Sequence, residues 1–139
     1  ERQFGVLEIH ARQSEALDEA GSAILKSLKM KAEDQLRPEI LVIDVVADIT
    51  DRHAVIINRT KQASMVLPGE SLLVLELVPA LFASYAANEA ERAVPGVKLV
   101  DVRMIGATGR VYMSGSARDI GAARDHIAAK LGEIRGRAA

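Results

Sequence analysis

Aromatic residues and cysteine are the scarcest components of this sequence, which has no cysteine, no tryptophan, two tyrosines and two phenylalanines among its 139 residues. Without cysteine, the chain forms neither disulfide bonds nor metal sites built on thiolates. Hydrophobic residues still make up an ordinary 49% of the total. We therefore expect a core assembled mainly from valine, isoleucine, leucine and alanine, whose small side chains allow close packing.

An excess of charge of one sign is also lacking, because 18 basic residues nearly balance 19 acidic residues and leave a net charge of −1. Such a balance gives no general attraction to nucleic acid or to an anionic membrane surface. No apolar run approaches the ~18 residues needed to span a bilayer, and the first residues lack a secretory signal pattern. We expect a cytoplasmic protein with no nucleic-acid partner and no membrane partner.

Motifs that carry catalytic chemistry are missing as well. The histidines His10, His53 and His126 are far apart and belong to different predicted elements. The sequence contains neither a Gly-x-Ser-x-Gly nucleophile elbow nor a Gly-Lys-Ser/Thr phosphate loop. Asp44 and Asp48, on one face of a predicted strand, suggest an acidic site or, more simply, residues that line an exposed edge or pair with arginine across an interface. The sequence thus predicts no catalytic residues, no metal and no cofactor.

The first 38 residues read as an extension that precedes the main domain. Phe4–Ile9 has the composition of a short strand, and apolar residues recur at helical spacing from Ser14 to Leu28. This helix, which we place at Ser14–Leu36, is expected to fray through the charged stretch Lys29–Arg37, and Pro38 stops it. We assign residues 1–38 to a strand–helix extension and residues 39–139 to the main domain, with the residues from Gly136 frayed.

The main domain reads as strands and helices in alternation. The run Ile40–Ile49 is almost continuously apolar, which indicates either an inner strand covered on both faces or a strand at an interface. Thr50 is a suitable N-cap for a helix over Asp51–Ser64, with a strand through Ala54–Ile57 as the alternative. Leu72–Val78 is the next strand.

After Pro79 the pattern continues as helix, strand, strand and helix. The first of these helices carries a stripe of small residues, Ala83, Ala86, Ala87 and Ala90, and Ser116 caps the second. Together with the upstream strand, this order predicts an α+β fold with a four-stranded antiparallel sheet and helices on one face. Such an arrangement is a circularly permuted relative of the ferredoxin-like fold.

The stretch Val97–Gly115 reads as two strands joined by a loop with glycine at two positions three apart, Gly106 and Gly109. Two glycines with only small residues between them allow positive φ and a close approach of the backbone to a phosphate, a base or a symmetry copy of the loop. A plain tight turn is the simplest alternative. KH domains clamp nucleic acid with a Gly-x-x-Gly loop, but that loop joins two helices, whereas this one joins two strands.

Several short segments in the second half of the chain follow one another in a distinctive order. They are AANEAERA at residues 86–93, VKLV at 97–100, MIGATG at 104–109, RVYMSG at 110–115 and a second alanine-rich helix. This order resembles that of a bacterial microcompartment (BMC) shell-protein domain, over about residues 72–134. In the usual family order a fourth strand follows the last helix, whereas here it lies upstream. The chain is therefore similar to the circularly permuted shell proteins of ethanolamine- and propanediol-utilisation compartments.

The resemblance implies a structural role without enzymatic activity. Shell proteins form homohexameric tiles with a central pore for small metabolites, and the tiles pack laterally with themselves and with other shell proteins. The residues implied to line the pore are Ile105, Gly106, Ala107, Thr108 and Gly109. In some permuted members an N-terminal strand caps the pore, a role that the resemblance offers to Phe4–Ile9 although the long helix after it departs from that pattern.

Asn88 and Arg92 have the spacing of an Asp-x-x-x-Lys pattern that the family places at the edge of the hexamer. The resemblance therefore implies an edge role for Arg92 in contacts between tiles, while a solvated charge at a helix end is the alternative. The alternative function for the whole domain is a ferredoxin-like regulatory domain that senses a small molecule at a subunit interface.

Overall fold

The structure, a computed structural model, describes residues 7–61 and 63–138. They form two compact units, one with residues up to 37 together with those from 135, and the other with residues 38–134. In chain order the elements are α1 (Ser14–Ser27), a 3₁₀ turn (Ala32–Asp34), β1 (Glu39–Val46), α2 (Asp51–Asn58), β2 (Ser71–Val78), α3 (Phe82–Ala93), β3 (Lys98–Ile105), β4 (Thr108–Gly115) and α4 (Ala117–Glu133).

The unit of residues 38–134 is built on a four-stranded sheet with the strand order β1-β2-β4-β3. Each neighbouring pair of strands is antiparallel, so the predicted α+β class and the upstream origin of one strand are confirmed. β2 and β4 occupy the centre, whereas β1 and β3 are the edges.

The prediction of an inner strand at residues 40–49 is wrong for the single chain. Among the described residues β1 pairs only with β2, and its apolar residues Leu41, Val42 and Val46 are all exposed. A continuous apolar run indicates that both faces avoid water but does not say what covers them. The alternative interpretation, a strand at an interface, stays a prediction.

One face of the sheet packs against α3 and α4 and forms the larger core. Leu73, Leu75 and Leu77 of β2 point into this core and are fully buried. The small-residue stripe of α3 is also buried here, with Ala83 and Ala90 at zero exposure. The stripe therefore serves packing within one subunit, where small side chains let α3 lie close to α4 and the sheet.

The opposite face of the sheet is covered by α2 and its flanking segments. Ile49, Ala54 and Val66 are buried there against Leu72 and Val100 of the sheet. The prediction that helices lie on one face only is therefore wrong, because α2 occupies the second face.

The start of α2 is as predicted, whereas its end is not. The Thr50 hydroxyl accepts a hydrogen bond from the His53 N–H, as an N-cap does. The helix ends at Asn58 rather than at residue 64, and the alternative strand at 54–57 is not formed. Beyond the helix, the Asn58 side chain exchanges two hydrogen bonds of 2.9 Å with the backbone of Val66 and closes the following loop.

The helix α1 leaves its side chains exposed or only partly buried. α1 has no buried residue and ends at Ser27, not at residue 36 as predicted. Lys29 adopts a left-handed φ of 55°, and the Met30 N–H bonds to the Leu25 carbonyl while the Lys29 N–H bonds to the Lys26 carbonyl. This pattern is a Schellman motif, which ends a helix without the glycine that would have marked it in the sequence.

Both ends of the chain contribute to the unit that contains α1. Phe4–Val6 of the predicted N-terminal strand lie outside the described residues, and residues 7–10 have no regular secondary structure. Near the other end, the Arg137 N–H donates to the Gln35 carbonyl and the Arg137 carbonyl accepts from the Arg37 N–H, each at 3.0 Å. The predicted fraying beyond Gly136 is therefore wrong at Arg137.

An ion pair fixes the loop before β2 to the edge strand β3. The ammonium of Lys98 lies 2.6 Å from a carboxylate oxygen of Glu70, and the Leu67 N–H donates to the other oxygen at 2.9 Å. Burial raises the pKa of the Glu70 carboxyl. The Leu67 N–H and the Lys98 ammonium together lower this pKa by more than burial raises it, so it lies below the ordinary value.

Glu70→Gln is expected to make the fold less sensitive to acid. Because the folded-state pKa of Glu70 lies below the unfolded value, its carboxylate contributes stability above the unfolded pKa of about 4.3 that is lost as the pH falls through the lowered folded value. Urea unfolding at about pH 6 and about pH 3 measures the difference. Glu133→Gln, which removes an exposed carboxylate of α4, is the control. An equal loss of stability in the wild type and in Glu70→Gln would contradict this prediction.

Candidate pore and edge sites

The loop implied to line a pore is a two-residue hairpin turn. Ile105 ends β3 and pairs with Thr108, which begins β4, so only Gly106 and Ala107 form the turn. Gly106 has a φ of 62° at the first central position, a conformation typical of glycine in a type II′ turn. The predicted five-residue loop is therefore shorter than expected, because strand pairing continues through Thr108 and Gly109.

The tip of this hairpin is apolar and protrudes from the sheet. Met104 and Ile105 are about half exposed, at 46% and 55%. Apart from the two residues next to Gly106 in the chain, no atom of the described residues lies within 4 Å of the position of a β-carbon on Gly106. The tip therefore presents two apolar side chains and an unobstructed turn to its surroundings.

Gly109 lies behind the tip and is buried within β4. A β-carbon at this position would overlap the Ala80 carbonyl oxygen and lie 2.7 Å from the Ala83 β-carbon. Gly109 therefore allows β4 to approach the start of α3 closely, and it positions the hairpin rather than facing outward with it.

Asn88 and Arg92 lie one turn apart on the exposed side of α3. The Arg92 side chain is 75% exposed, and its guanidinium is 3.8 Å from the carboxylate of Glu89. An exposed pair of this kind contributes little to stability, so the Arg92 side chain is available for other contacts. The same Glu89 carboxylate lies 3.6 Å from Nε2 of His126 on α4.

The structure does not bring the edge residues and the hairpin tip together. Arg92 is in the last turn of α3, which is followed after four residues by the start of β3, whereas the tip is at the far end of that strand. Eight residues of strand span about 25 Å at ~3.3 Å per residue. The two sets of residues therefore lie near opposite ends of β3.

The two aspartates that suggested an acidic site do not share a strand face. β1 ends at Val46, and Asp48 adopts a φ of 52° in the bend that follows, while Asp44 accepts a hydrogen bond from the Val45 N–H. Within residues 7–61 and 63–138, no three histidine, cysteine or acidic side chains cluster in a way that could hold a metal ion. No helix in that part of the chain is long and apolar enough to cross a membrane.

A charged cluster on the α2 face of the sheet was not predicted from the sequence. The Lys61 ammonium lies 3.0 Å from the Asp101 carboxylate and 3.5 Å from the centre of the Tyr112 ring. Arg103 contacts the same carboxylate and donates to the Thr60 carbonyl at 2.7 Å. Asp101 and Arg103 share a strand face, which was a visible signal, but nothing in the sequence placed Lys61 beside them. The cluster fastens the loop after α2 to the sheet.

One family model and several known shell proteins are similar to this chain. The family described as the CsoS1D N-terminal domain matches residues 1–34. Among solved structures, the double ringed trimeric shell protein MSM0271 from the RMM microcompartment superposes with a TM-score of 0.95 at 57% identity, covering 100% of this chain and 68% of that one. The chain belongs to the bacterial microcompartment shell proteins.

Other shell proteins of this family show the same likeness. The fused permuted hexameric shell protein MSM0275, also from the RMM microcompartment, superposes with a TM-score of 0.84 at 47% identity over 90% of this chain and 61% of that one. The carboxysome shell protein CcmP of Synechococcus elongatus is 39% identical over 137 residues, which are 99% of this chain and 64% of that protein. The permuted shell-protein fold expected from the sequence is thereby confirmed.

The carboxysome shell protein CsoS1D of Hydrogenovibrio crunogenus is 40% identical over 121 residues, covering 86% of this chain and 58% of that protein. The chain thus spans about three fifths of the length of these two curated shell proteins. All four relatives are described as shell proteins, so the regulatory-domain hypothesis gains no support from them.

Gly109→Ala is expected to destabilise this shell-protein fold by about 1–3 kcal/mol, because the added methyl group overlaps the Ala80 carbonyl in a packed core. Urea unfolding of the variant measures the loss. Gly121→Ala is the matched control, since no atom lies within 4 Å of the added carbon in α4 and the substitution should stabilise the helix by about 0.5–1 kcal/mol. Equal midpoints for the wild type and Gly109→Ala would show that the close approach is not needed.

Proposed function

We propose that this chain is a structural, non-enzymatic subunit of a bacterial microcompartment shell, in which copies assemble into a ring that tiles with other shell proteins. The observation that carries the proposal is the superposition of the whole chain on MSM0271 at a TM-score of 0.95 and 57% identity.

Exposed apolar residues on the main domain support assembly with other copies. They occur on the edge strand β1, on α2 and at the hairpin tip, and include Leu41, Val42, Val46, Val55, Ile56, Met104 and Ile105. Scattered single residues of this kind are normal on a monomer, but runs on an unpaired strand edge invite pairing or coverage. A ring, whose interface repeats around an axis, covers such an edge in every subunit.

The ring that we propose is a homohexamer with a central pore for small metabolites. MSM0275 is described as hexameric, which favours this number of copies. MSM0271, which is described as trimeric, favours a ring of three subunits as the second arrangement. Both arrangements place equivalent surfaces of the chain around one axis.

In this proposal the hairpin tip borders the pore. Gly106 and Ala107 add almost no side-chain bulk, so their backbone can approach the axis closely and offer polar groups to a passing metabolite. Ile105 and Thr108 flank them, and the buried Gly109 sets the position of the hairpin against α3. Asn88 and Arg92, at the other end of β3, are then placed at the outer edge of the ring.

The oligomeric state and the variant Ala107→Asp test the ring and the pore together. The wild type should have the native mass of a hexamer at micromolar concentration. Ala107→Asp should lower the melting temperature of that ring at pH 8 in low salt. Carboxylates about 6 Å apart repel by about 0.7 kcal/mol in water and by about 3 kcal/mol at an effective dielectric constant of 20, and the repulsion is summed around the ring. Acid should restore the melting temperature by neutralising them.

Ala128→Asp, which makes the same change on the exposed side of α4, is the control and should melt like the wild type at both pH values. A stable wild-type monomer would contradict the ring itself, and a trimeric mass would favour the second arrangement. A ring in which Ala107→Asp melts like the wild type at pH 5 and at pH 8 would show that the hairpin tip is not near the axis.

Arg92→Ala and Arg92→Glu should leave the ring intact but weaken its assembly into sheets. The guanidinium is exposed and only loosely paired with Glu89, and its planar fork can donate to a carbonyl of a neighbouring ring. Electron microscopy of sheets grown at low salt measures the effect, with Arg118→Ala on the exposed start of α4 as the control. Sheets that form as readily as those of the wild type would assign Arg92 to an ordinary surface charge.

A further inference from the structure

The sheet face that α2 covers is open at the end nearer to the hairpin tip. The apolar contacts of α2 and its flanking segments reach Val74 of β2 and Tyr112 of β4. Two residues closer to the tip, this face carries Glu76, Arg110 and Arg103, which pair in that order across β2, β4 and β3. The side chains of Arg110 and Arg103 are 42% and 46% exposed, so this part of the face is accessible to a small solute.

Two arginines directly opposite each other are an unfavourable pair in an antiparallel sheet. Arg103 of β3 pairs with Arg110 of β4, which puts their β-carbons about 5 Å apart on one face, where like charges repel. Glu76 contacts Arg110, but the Asp101 carboxylate is shared between Arg103 and Lys61. In this cluster three cations therefore share two carboxylates, and one positive charge is in surplus.

Both guanidiniums keep donors that the cluster does not use. Nε of Arg110 donates to Glu76 at 2.9 Å. Arg103 donates from Nε to Asp101 and from Nη2 to the Thr60 carbonyl. A guanidinium carries more N–H donors than these bonds occupy, and the exposed ends of both side chains can present them to a ligand.

The neighbours of the two arginines hold the site in one geometry. The side chains of Asp101 and Lys61 are only 13% and 10% exposed, and the Lys61 ammonium also lies 3.5 Å from the centre of the Tyr112 ring. Arg103 is fixed to this buried pair, while Arg110 is fixed to Glu76 on the other side. Side chains that are already ordered lose little freedom when a ligand binds, which favours binding.

We propose that Arg103 and Arg110 together bind a phosphate group of a small metabolite on this open part of the sheet face. A phosphate monoester has three outer oxygens, so it can accept hydrogen bonds from both guanidiniums, whereas one guanidinium alone already satisfies the two oxygens of a carboxylate. Its charge of about −1.5 to −2 at pH 7 offsets the surplus positive charge and screens the two arginines from each other. The site lies within one subunit and does not depend on the proposed ring.

Calorimetric titration of the full chain with inorganic phosphate, at constant ionic strength and about pH 7.5, tests the site. The wild type should bind phosphate saturably, with one phosphate per chain. Arg110→Gln should weaken this binding about tenfold or more, because one of the two charged donors is lost. Arg118→Gln, at the exposed start of α4, is the matched control and should bind like the wild type. Absence of saturable binding in the wild type, or equal binding by Arg110→Gln, would overturn the proposal.

Glu76→Gln tests the same site in the opposite direction. The glutamine oxygen can still accept the hydrogen bond from Nε of Arg110, but the negative charge beside the site is removed. Phosphate binding should therefore become several-fold tighter, an effect that arginines serving only to pair with carboxylates would not produce. Unchanged or weaker binding by Glu76→Gln would overturn the proposal. Acetate should bind more weakly than phosphate, and acetate binding of equal strength would overturn the assignment to a phosphate group.

Discussion

Burial of β2 on both of its faces is the constraint on which the rest of this structure depends. Leu73, Leu75 and Leu77 face the core under α3 and α4, while Leu72 and Val74 face the second cluster under α2. A central strand has to be covered on two sides, and the chain meets this need with two different coverings. The helices α3 and α4 cover one side. The short helix α2 covers the other, together with the loop that follows it, which polar contacts hold against the sheet.

The sequence allowed the four strands of the sheet, their permuted order and the N-caps Thr50 and Ser116 to be predicted, because those features depend on local patterns. It did not reveal the end of α1, since Lys29 takes a left-handed conformation without glycine. Nor did it show that Gly109 packs under α3, because a Gly-x-x-Gly pattern looks the same in a loop and in a strand. Only tertiary contacts distinguish these cases.

Polar contacts hold α2 and its flanking loops against the sheet in a chain that has few aromatic residues. Lys61 uses one of the two tyrosine rings as well as the Asp101 carboxylate, and Lys98 uses Glu70. Side chains with low exposure in such pairs fix geometry, because a mismatch leaves a charge without compensation. The α2 face of the sheet is consequently defined by direction-specific contacts, whereas the α3 and α4 face is defined by close packing.

The backbone pairing of Arg137 with residues 35–37 has a consequence for the order in which the chain folds. Closing a segment of about a hundred residues costs entropy that no local contact repays. The strands and helices of residues 38–134 lie inside that segment, and their own pairing brings its ends nearer together. We therefore expect the contact between residues 35–37 and Arg137 to form only after the sheet has formed.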